Sequence, residues 1–165
     1  FRIQSFQIEP VRAMPVNNSP LICKLSDEEC LTQVQADFDR LKVVDNFARV
    51  AQKVRAVSAN CTTLVCELVV EDGHLNRGGT LHGGFSATLI DIITSRAIGI
   101  SVGMSKPRAT IELSASYLLP VRAGEKVIMT ATVLQVGHSM AFAEVEFKKE
   151  DGKIAVKGKQ TMAIF

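Results

Sequence analysis

A glycine-rich polar loop that leads into an apolar helix is the stretch of the sequence most suited to chemistry. The loop covers residues 75–84, and its last two residues, Gly83 and Gly84, stand where the helix is predicted to begin. The first N–H groups of a helix have no partner inside the helix and lie at the positive end of its dipole. The junction therefore predicts a site for a negative oxygen, either of a bound anion or of an oxyanion formed during a reaction.

The predicted helix carries a single carboxylate, Asp91, between Ile90 and Ile92. A helix that is apolar on nearly all sides is normally buried, and a buried carboxylate must be paired, hydrogen-bonded or used in chemistry. For an isolated aspartate, hydrogen bonds from neighbours such as Thr94 or Ser95 would be a sufficient explanation. Asp91 is therefore a candidate catalytic residue whose assignment depends on its surroundings.

The two candidate groups stand too far apart along one helix to act together. Gly84 and Asp91 are seven residues apart, which is roughly 10 Å at about 1.5 Å per residue. Catalytic contacts to one reacting carbonyl are only about 3 Å long. If both groups act on one substrate, the helix N-terminus must come from one subunit and Asp91 from another. The spacing then predicts a site shared across a homodimer interface.

The composition indicates one folded domain without a nucleic-acid surface or an integral membrane segment. The chain has 165 residues, of which 47% are hydrophobic, and no long linker, so it can form one proper core. The net charge is +2 and both signs are interspersed, which argues against a dedicated nucleic-acid surface. No apolar run reaches the roughly 20 residues that are needed to span a bilayer.

The cysteines and histidines show no metal-binding pattern. There is no C-x-x-C pair, and no histidine stands at zinc spacing from a cysteine. We therefore expect free thiols of a reducing compartment and no metal site. The cysteines concerned are Cys23, Cys30, Cys61 and Cys66.

Residues 1–25 are predicted to form an N-terminal arm that precedes a single domain at residues 26–165. The sequence begins at Phe1 and not at Met, which suggests a processed or truncated product. The arm is poor in acidic residues, as mitochondrial targeting segments are, but its three prolines oppose the amphipathic helix of such a segment. We expect an extended or disordered arm.

Hydrophobic periodicity predicts an α+β domain in the order helix, two strands, helix, four strands. A capping box at Ser26 and Glu29 starts the first helix, which ends near Val43. The central helix follows the glycine loop and ends near Gly103. Alternating residues between turn signals predict the strands, at residues 53–60, 63–71, 108–118, 125–136, 140–150 and 153–164. An antiparallel sheet wrapped around the central helix is the simplest way to bury that helix.

The strand at 108–118 shows the clearest alternation of polar and apolar residues. Simple alternation places Thr110 on the same face as Glu112 and Ser114, opposite Leu113 and Tyr117. This pattern is typical of a sheet with one covered face.

Four motifs in this order resemble the hotdog-fold acyl-CoA thioesterases. They are Asn76-x-x-Gly-Thr-Leu-His-Gly-Gly, the segment from Ala87 to Asp91, Ser116-Tyr117-Leu118-x-Pro120, and Gly124-Glu125. The resemblance covers roughly residues 30–162. It implies the hotdog fold, in which an antiparallel sheet wraps around one long central helix, here with an added N-terminal helix.

The resemblance also implies roles for five residues. The carboxylate of Asp91 acts as general base or as nucleophile on the thioester. The side-chain amide of Asn76 and the backbone N–H of Gly83 hold the thioester oxygen, and His82 orients the loop. Thr110 stands where relatives have serine, and its hydroxyl helps to position water. With Asn76, His82 and Gly83 upstream in this order, the catalytic interpretation of Asp91 is favoured over the structural one.

Coenzyme A contacts and assembly are further implications of the resemblance. The expected coenzyme A residues are Tyr117, Arg122, Gly137, His138 and Ser139. Coenzyme A is then part of the substrate, and no separate cofactor is expected. The relatives are homotetramers, dimers of dimers, which agrees with a shared site. The implied location is the cytoplasm, the mitochondrion or both.

The leading function hypothesis is hydrolysis of fatty acyl-CoA thioesters to free fatty acid and coenzyme A. The alternative is a non-catalytic acyl-CoA or lipid-binding scaffold on the same fold, which would need the pocket and the helix N-terminus but not Asp91. Hotdog dehydratase chemistry is a third hypothesis, and it is less favoured because the central helix holds no histidine beside Asp91. The sequence does not fix the acyl chain length.

Overall fold

The computed structural model describes residues 23–165, which form two helices and six strands. The helices are α1 (Asp27–Arg40) and α2 (Gly83–Val102). The strands are β1 (Arg55–Ala59), β2 (Thr63–Val69), β3 (Arg108–Tyr117), β4 (Lys126–Val136), β5 (Met140–Lys149) and β6 (Ile154–Ile164). Short 3₁₀ turns lie at Phe47–Ala51 and Asp72–His74. The predicted element order is confirmed, although α1 ends three residues before Val43 and the 3₁₀ turn at Asp72–His74 was not predicted.

All six strands form one antiparallel sheet in the order β1-β2-β4-β5-β6-β3, which leaves β1 and β3 at its edges. Helix α2 packs against β2, β3, β4, β5 and β6, and most of its residues are buried. The predicted hotdog architecture, a sheet wrapped around one central helix, is confirmed. The N-terminal arm predicted for residues 1–25 lies almost wholly outside the described residues.

Helix α2 has the length and composition of a membrane-spanning helix, contrary to the prediction that no apolar run of the sequence is long enough. Of its 20 residues, two are charged, Asp91 and Arg96, and the others are apolar or small and polar. In the fold, 67% of an 18-residue apolar stretch of α2 is buried inside the protein. The apolar character of α2 is therefore explained by its place in the core of the domain.

Helix α1 is fixed at its start by the predicted capping box and along its length by a charged contact with α2. The Glu29 N–H donates to the Ser26 hydroxyl, and the Ser26 N–H donates to the Glu29 carboxylate at 2.8 Å. Arg96 on α2 lies 2.8 Å from the Asp37 carboxylate, and its guanidinium stands over the Phe38 ring at 4.7 Å. Burial lowers the pKa of Arg96 from its ordinary value. This ion pair joins the two helices.

The prediction that all four cysteines are free thiols is wrong for two of them. Cys23 and Cys61 form a disulfide with a Cα–Cα distance of 5.6 Å, whereas Cys30 and Cys66 are buried free thiols. The partners are 38 residues apart in sequence, and they meet because the segment before α1 packs on the turn between β1 and β2. Pairing of this kind is set by tertiary contact, so that sequence spacing alone did not predict it.

Close packing of α2 on β6 requires a glycine at position 158. A Cβ atom at Gly158 would lie 2.7 Å from two side-chain carbons of Ile90. We expect Gly158→Ala to lower the free energy of unfolding by about 1–3 kcal/mol, because overpacking forces side chains off their rotamers. Urea unfolding measures this change.

The matched control is Gly73→Ala, because Gly73 has no atom within 4 Å of the added Cβ position. Adding Ile90→Ala to Gly158→Ala should give less than the sum of the two single losses, since it removes the clashing atoms. An unfolding free energy for Gly158→Ala equal to that of the wild type would show that the sheet has room at this point.

Candidate active site

The carboxylate of Asp91 is held at one oxygen by side chains from two strands. The Thr110 hydroxyl on β3 donates to Asp91 Oδ1 at 2.6 Å, and the Gln160 amide on β6 donates to the same oxygen. The other amide hydrogen of Gln160 reaches the Thr110 hydroxyl at 2.8 Å. Among residues 23–165, no protein donor reaches Asp91 Oδ2. One oxygen of the carboxylate is therefore anchored, and the other is available to a water molecule or an acyl carbon.

The alternative explanation, in which Thr94 or Ser95 donates the hydrogen bond to Asp91, is wrong, because the donors are Thr110 and Gln160. The Thr94 hydroxyl lies 2.7 Å from the Ile90 carbonyl and within hydrogen-bond distance of the side-chain carbonyl of Gln160. Thr94 thus supports Gln160, which in turn holds Asp91. A chain of hydrogen bonds fixes the carboxylate from behind.

Gln160 is the residue of this site that was not predicted from the sequence. Its side chain is only 2% exposed, and the residues at positions 156, 158, 160, 162 and 164 of β6 are all buried. Gln160 is the one amide among glycine and apolar residues at these inward positions. A polar residue at a predicted inward position of a strand was therefore the signal that could have identified it.

Thr110 reaches Asp91 because β3 contains a bulge. The register of β3 against β6 shifts between Thr110 and Glu112. The extra residue turns Thr110 toward α2, on the same side as Leu113, which packs on the core. Simple alternation, which placed Thr110 with Glu112 and Ser114, is wrong at this point. Bulges commonly redirect a side chain in this way beside active sites.

The glycine loop is held in place by two histidines. His82 is the N-cap of α2, and its Nδ1 accepts the Gly84 N–H at 2.9 Å. The His82 N–H donates to the His74 carbonyl at 2.8 Å, and the His74 ring stacks on Phe85 at 4.6 Å. Desolvation lowers the pKa of His74, which favours the neutral ring that accepts the Glu71 N–H at 3.0 Å. These contacts fix where the chain enters α2.

The N-terminus of α2 and the Asn76 amide border one cavity of about 360 Å³. Among the described residues, the Gly83 N–H has no hydrogen-bond acceptor. The Asn76 Oδ1 accepts the Gly78 N–H at 2.8 Å, while its Nδ2 donates one hydrogen to Thr80 at 3.0 Å and keeps a second hydrogen. The cavity therefore has two donors for an oxygen, one from the backbone and one from a side chain.

Asp91 does not line this cavity. Eight residues of α2 separate Gly83 from Asp91, which is about 12 Å along the helix. One chain thus contains both predicted halves of the site but does not bring them together. A larger groove of about 700 Å³ lies between α1 and the end of α2, and none of the predicted site residues lines it.

The predicted coenzyme A residues also fall into two groups. The Tyr117 hydroxyl donates to the Gly83 carbonyl at 2.9 Å, and Arg122 follows in an exposed loop. The turn Gly137–Ser139 lies at the opposite end of the sheet, since Tyr117 pairs with Val156 whereas the Ser139 carbonyl accepts the Ile164 N–H. Eight residues of β6 separate these ends, about 25 Å at the rise of a strand. One chain does not bring the two groups together.

Comparison with known proteins agrees with this architecture. A family model described as the Thioesterase superfamily matches residues 78–156. A Caenorhabditis elegans protein named as an esterase is 46% identical over 148 residues, which cover 89% of this chain and 87% of the relative. Mouse acyl-coenzyme A thioesterase 13 is 39% identical over 119 residues, which cover 72% of this chain and 84% of the relative.

A solved structure is similar over nearly its whole length. The zebra fish thioesterase superfamily member 2 matches with a TM-score of 0.78 and 36% identity, covering 82% of this chain and 98% of that chain. The fold, the order of the site motifs and these identities lead to one conclusion, which confirms the resemblance seen in the sequence. The chain belongs to the thioesterase superfamily.

Proposed function

We propose that this protein hydrolyses acyl-CoA thioesters with Asp91 as the catalytic carboxylate. The observation that carries the proposal is the state of Asp91, anchored at Oδ1 by Thr110 and Gln160 with Oδ2 available. The name of the mouse relative, an acyl-coenzyme A thioesterase, supports coenzyme A thioesters as the substrate class.

The reaction needs only water and the thioester. Asp91 Oδ2 takes a proton from a water molecule, whose oxygen attacks the thioester carbonyl carbon. The carbonyl oxygen becomes an oxyanion, which the Gly83 N–H and the Asn76 amide stabilise. The C–S bond then breaks, coenzyme A leaves as a thiolate, and the proton from Asp91 returns to the sulfur. Direct attack of Asp91 on the carbonyl, through an acyl anhydride, uses the same groups.

We further propose that each site is completed by a second copy of the chain. Strand β3 is an edge strand, and unpaired edges are rarely left long and apolar. Ile111, Tyr117 and Leu118 are 58%, 55% and 54% exposed in the single chain. A partner that covers this edge would bury these side chains.

A two-fold axis through the middle of β3 would join the two halves of the site. Tyr117 near one end of β3 holds Gly83, and Thr110 near the other end holds Asp91. Two β3 strands paired antiparallel about such an axis place the Tyr117 end of one beside the Thr110 end of the other. The Gly83 of one subunit then faces the Asp91 of the partner subunit. Assembly of two such dimers into a tetramer stays a prediction.

The first test replaces the carboxylate by an amide. We expect Asp91→Asn to lower kcat at least about a hundredfold, because the amide cannot act as a base or nucleophile. Release of coenzyme A thiol from medium- to long-chain acyl-CoAs measures the rate, with the protein's own thiols subtracted. The control is Asp45→Asn, since Asp45 is an exposed carboxylate that pairs with Arg49.

Two other outcomes would contradict the proposed role of Asp91. Unchanged turnover in folded Asp91→Asn would show that another residue acts as the base or nucleophile. Tight acyl-CoA binding without turnover in either protein would instead support the non-catalytic scaffold.

The second test concerns Gln160 as a positioning residue. Gln160→Met keeps the length of the side chain but removes both donors, and a hydrogen bond to a charged group is worth about 1.5–3 kcal/mol. We expect kcat to fall roughly 10- to 100-fold with little change in KM, because the carboxylate loses its orientation and not its substrate contacts. The control is Gln135→Met, at an exposed position of β4. If the two variants lost kcat equally and thermal stability equally, Gln160 would have only a packing role.

The third test asks whether the site is shared. Asp91→Asn and Asn76→Ala homodimers should both be nearly inactive, whereas a one-to-one mixture that exchanges subunits should recover about a quarter of the wild-type activity. Half of the dimers are then mixed, and each has one site with both groups intact. Affinity capture of one tagged variant together with its untagged partner establishes that subunits exchange. A mixture that exchanges but stays inactive would place all catalytic groups in one chain.

A further inference from the structure

Three cysteines that the hydrolytic reaction does not use meet at one end of the domain. Cys23 lies before α1, Cys30 lies within α1, and Cys61 lies in the turn between β1 and β2. Their three sulfur atoms lie within 4.8 Å of one another. The Cys23 N–H also donates to the Ser101 carbonyl near the end of α2 at 3.1 Å. The cluster thus joins the start of the described chain to three elements of the fold.

The three thiols have two chemically distinct states. In the oxidised state, Cys23 and Cys61 are bonded, and the Cys30 thiol stands 3.9 Å from the Cys23 sulfur. A cellular dithiol can reduce the disulfide: two electrons cleave the S–S bond, the sulfurs take up two protons, and the dithiol becomes a disulfide. The reduced state then holds three thiols around one point.

We propose that the reduced cluster of Cys23, Cys30 and Cys61 binds one thiophilic d¹⁰ cation such as Zn²⁺. Thiolates bind zinc at about 2.3 Å, so that two sulfurs on one ion stand roughly 3.8 Å apart. The Cys23 and Cys30 sulfurs already have this spacing at 3.9 Å. Two sulfurs that are no longer bonded separate to van der Waals contact, which brings Cys61 to a similar distance. Binding releases the three thiol protons.

The surroundings of the cluster fit a metal ion better than an inert core. Cys30 is fully buried, whereas Cys23 and Cys61 are half-buried, so that an ion can enter from solvent and a water molecule can supply a fourth ligand. Asp27 and Glu29 lie in the first turn of α1, close to Cys30, and they add negative charge near a bound cation. Soft thiolate ligands select zinc or Cu(I) over the hard ions Mg²⁺ and Ca²⁺.

Sequence spacing did not predict this site. Cys23 and Cys30 are seven residues apart and Cys61 follows 31 residues later, a pattern unlike the short C-x-x-C pairs of zinc fingers. The fold makes the site by packing three separate segments together. None of the three cysteines contacts Asp91, Thr110 or Gln160, so the proposal is independent of the proposed hydrolysis.

The test is a zinc titration of the full chain in both redox states. Protein reduced with a dithiol, then freed of reductant without oxygen, competes with a chromophoric chelator for Zn²⁺. We expect one ion per reduced chain and none at this site in the oxidised protein, since the disulfide removes two ligands. Co²⁺ in place of zinc should give thiolate charge-transfer absorption in the reduced protein only.

Variants assign the ligands. Cys30→Ser and Cys61→Ser should each weaken zinc binding at least about tenfold, whereas Cys66→Ala, which removes a buried thiol outside the cluster, should leave it unchanged. Far-ultraviolet circular dichroism and a thermal melt show that each variant is folded. Absence of zinc binding by the reduced wild type, equal binding by folded Cys30→Ser, or equal binding by the oxidised protein would each overturn the proposal.

Discussion

Burial of α2 inside the sheet is the constraint on which the rest of the structure depends. The helix carries two charged residues, Asp91 and Arg96, and both need partners because the sheet and α1 remove them from water. Thr110 and Gln160 supply hydrogen bonds to Asp91, and Asp37 supplies the ion pair to Arg96. The two charges therefore specify what must lie on each side of the helix: two strands on one side and α1 on the other.

The local sequence pattern was sufficient to predict the helices and strands, because each has its own hydrophobic periodicity and its own boundary residues. The capping box at Ser26 and the glycine pair at Gly83 mark where helices begin, and the six strands alternate between turn signals. Asp91 stood out for the same reason, as one carboxylate in an apolar helix. The bulge in β3 could not be predicted in this way, because a bulge is a relation between two strands and not a property of one.

Contacts between distant segments account for what the sequence did not reveal. Gln160 lies 69 residues from Asp91, and Cys61 lies 38 residues from Cys23. Each residue is unremarkable in its own segment, and it acquires its role only when the sheet closes around α2 or when α1 packs on the β1–β2 turn. The inward position of Gln160 on β6 was a readable signal, whereas the cysteine cluster had none, because its three cysteines come from three segments with irregular spacing.

Strand β3 contacts both predicted halves of the site, although these lie about 12 Å apart along α2. It holds the start of α2 through Tyr117 and Gly83, and it holds the carboxylate through Thr110 and Asp91. Both contacts come from one edge strand, so a partner that pairs with this edge would order both groups at once. A single chain leaves the same strand exposed and its site divided. Under the proposed pairing, catalytic competence and assembly are therefore one event, since the rigid rise of α2 prevents Gly83 and Asp91 of one chain from ever meeting at a single carbonyl.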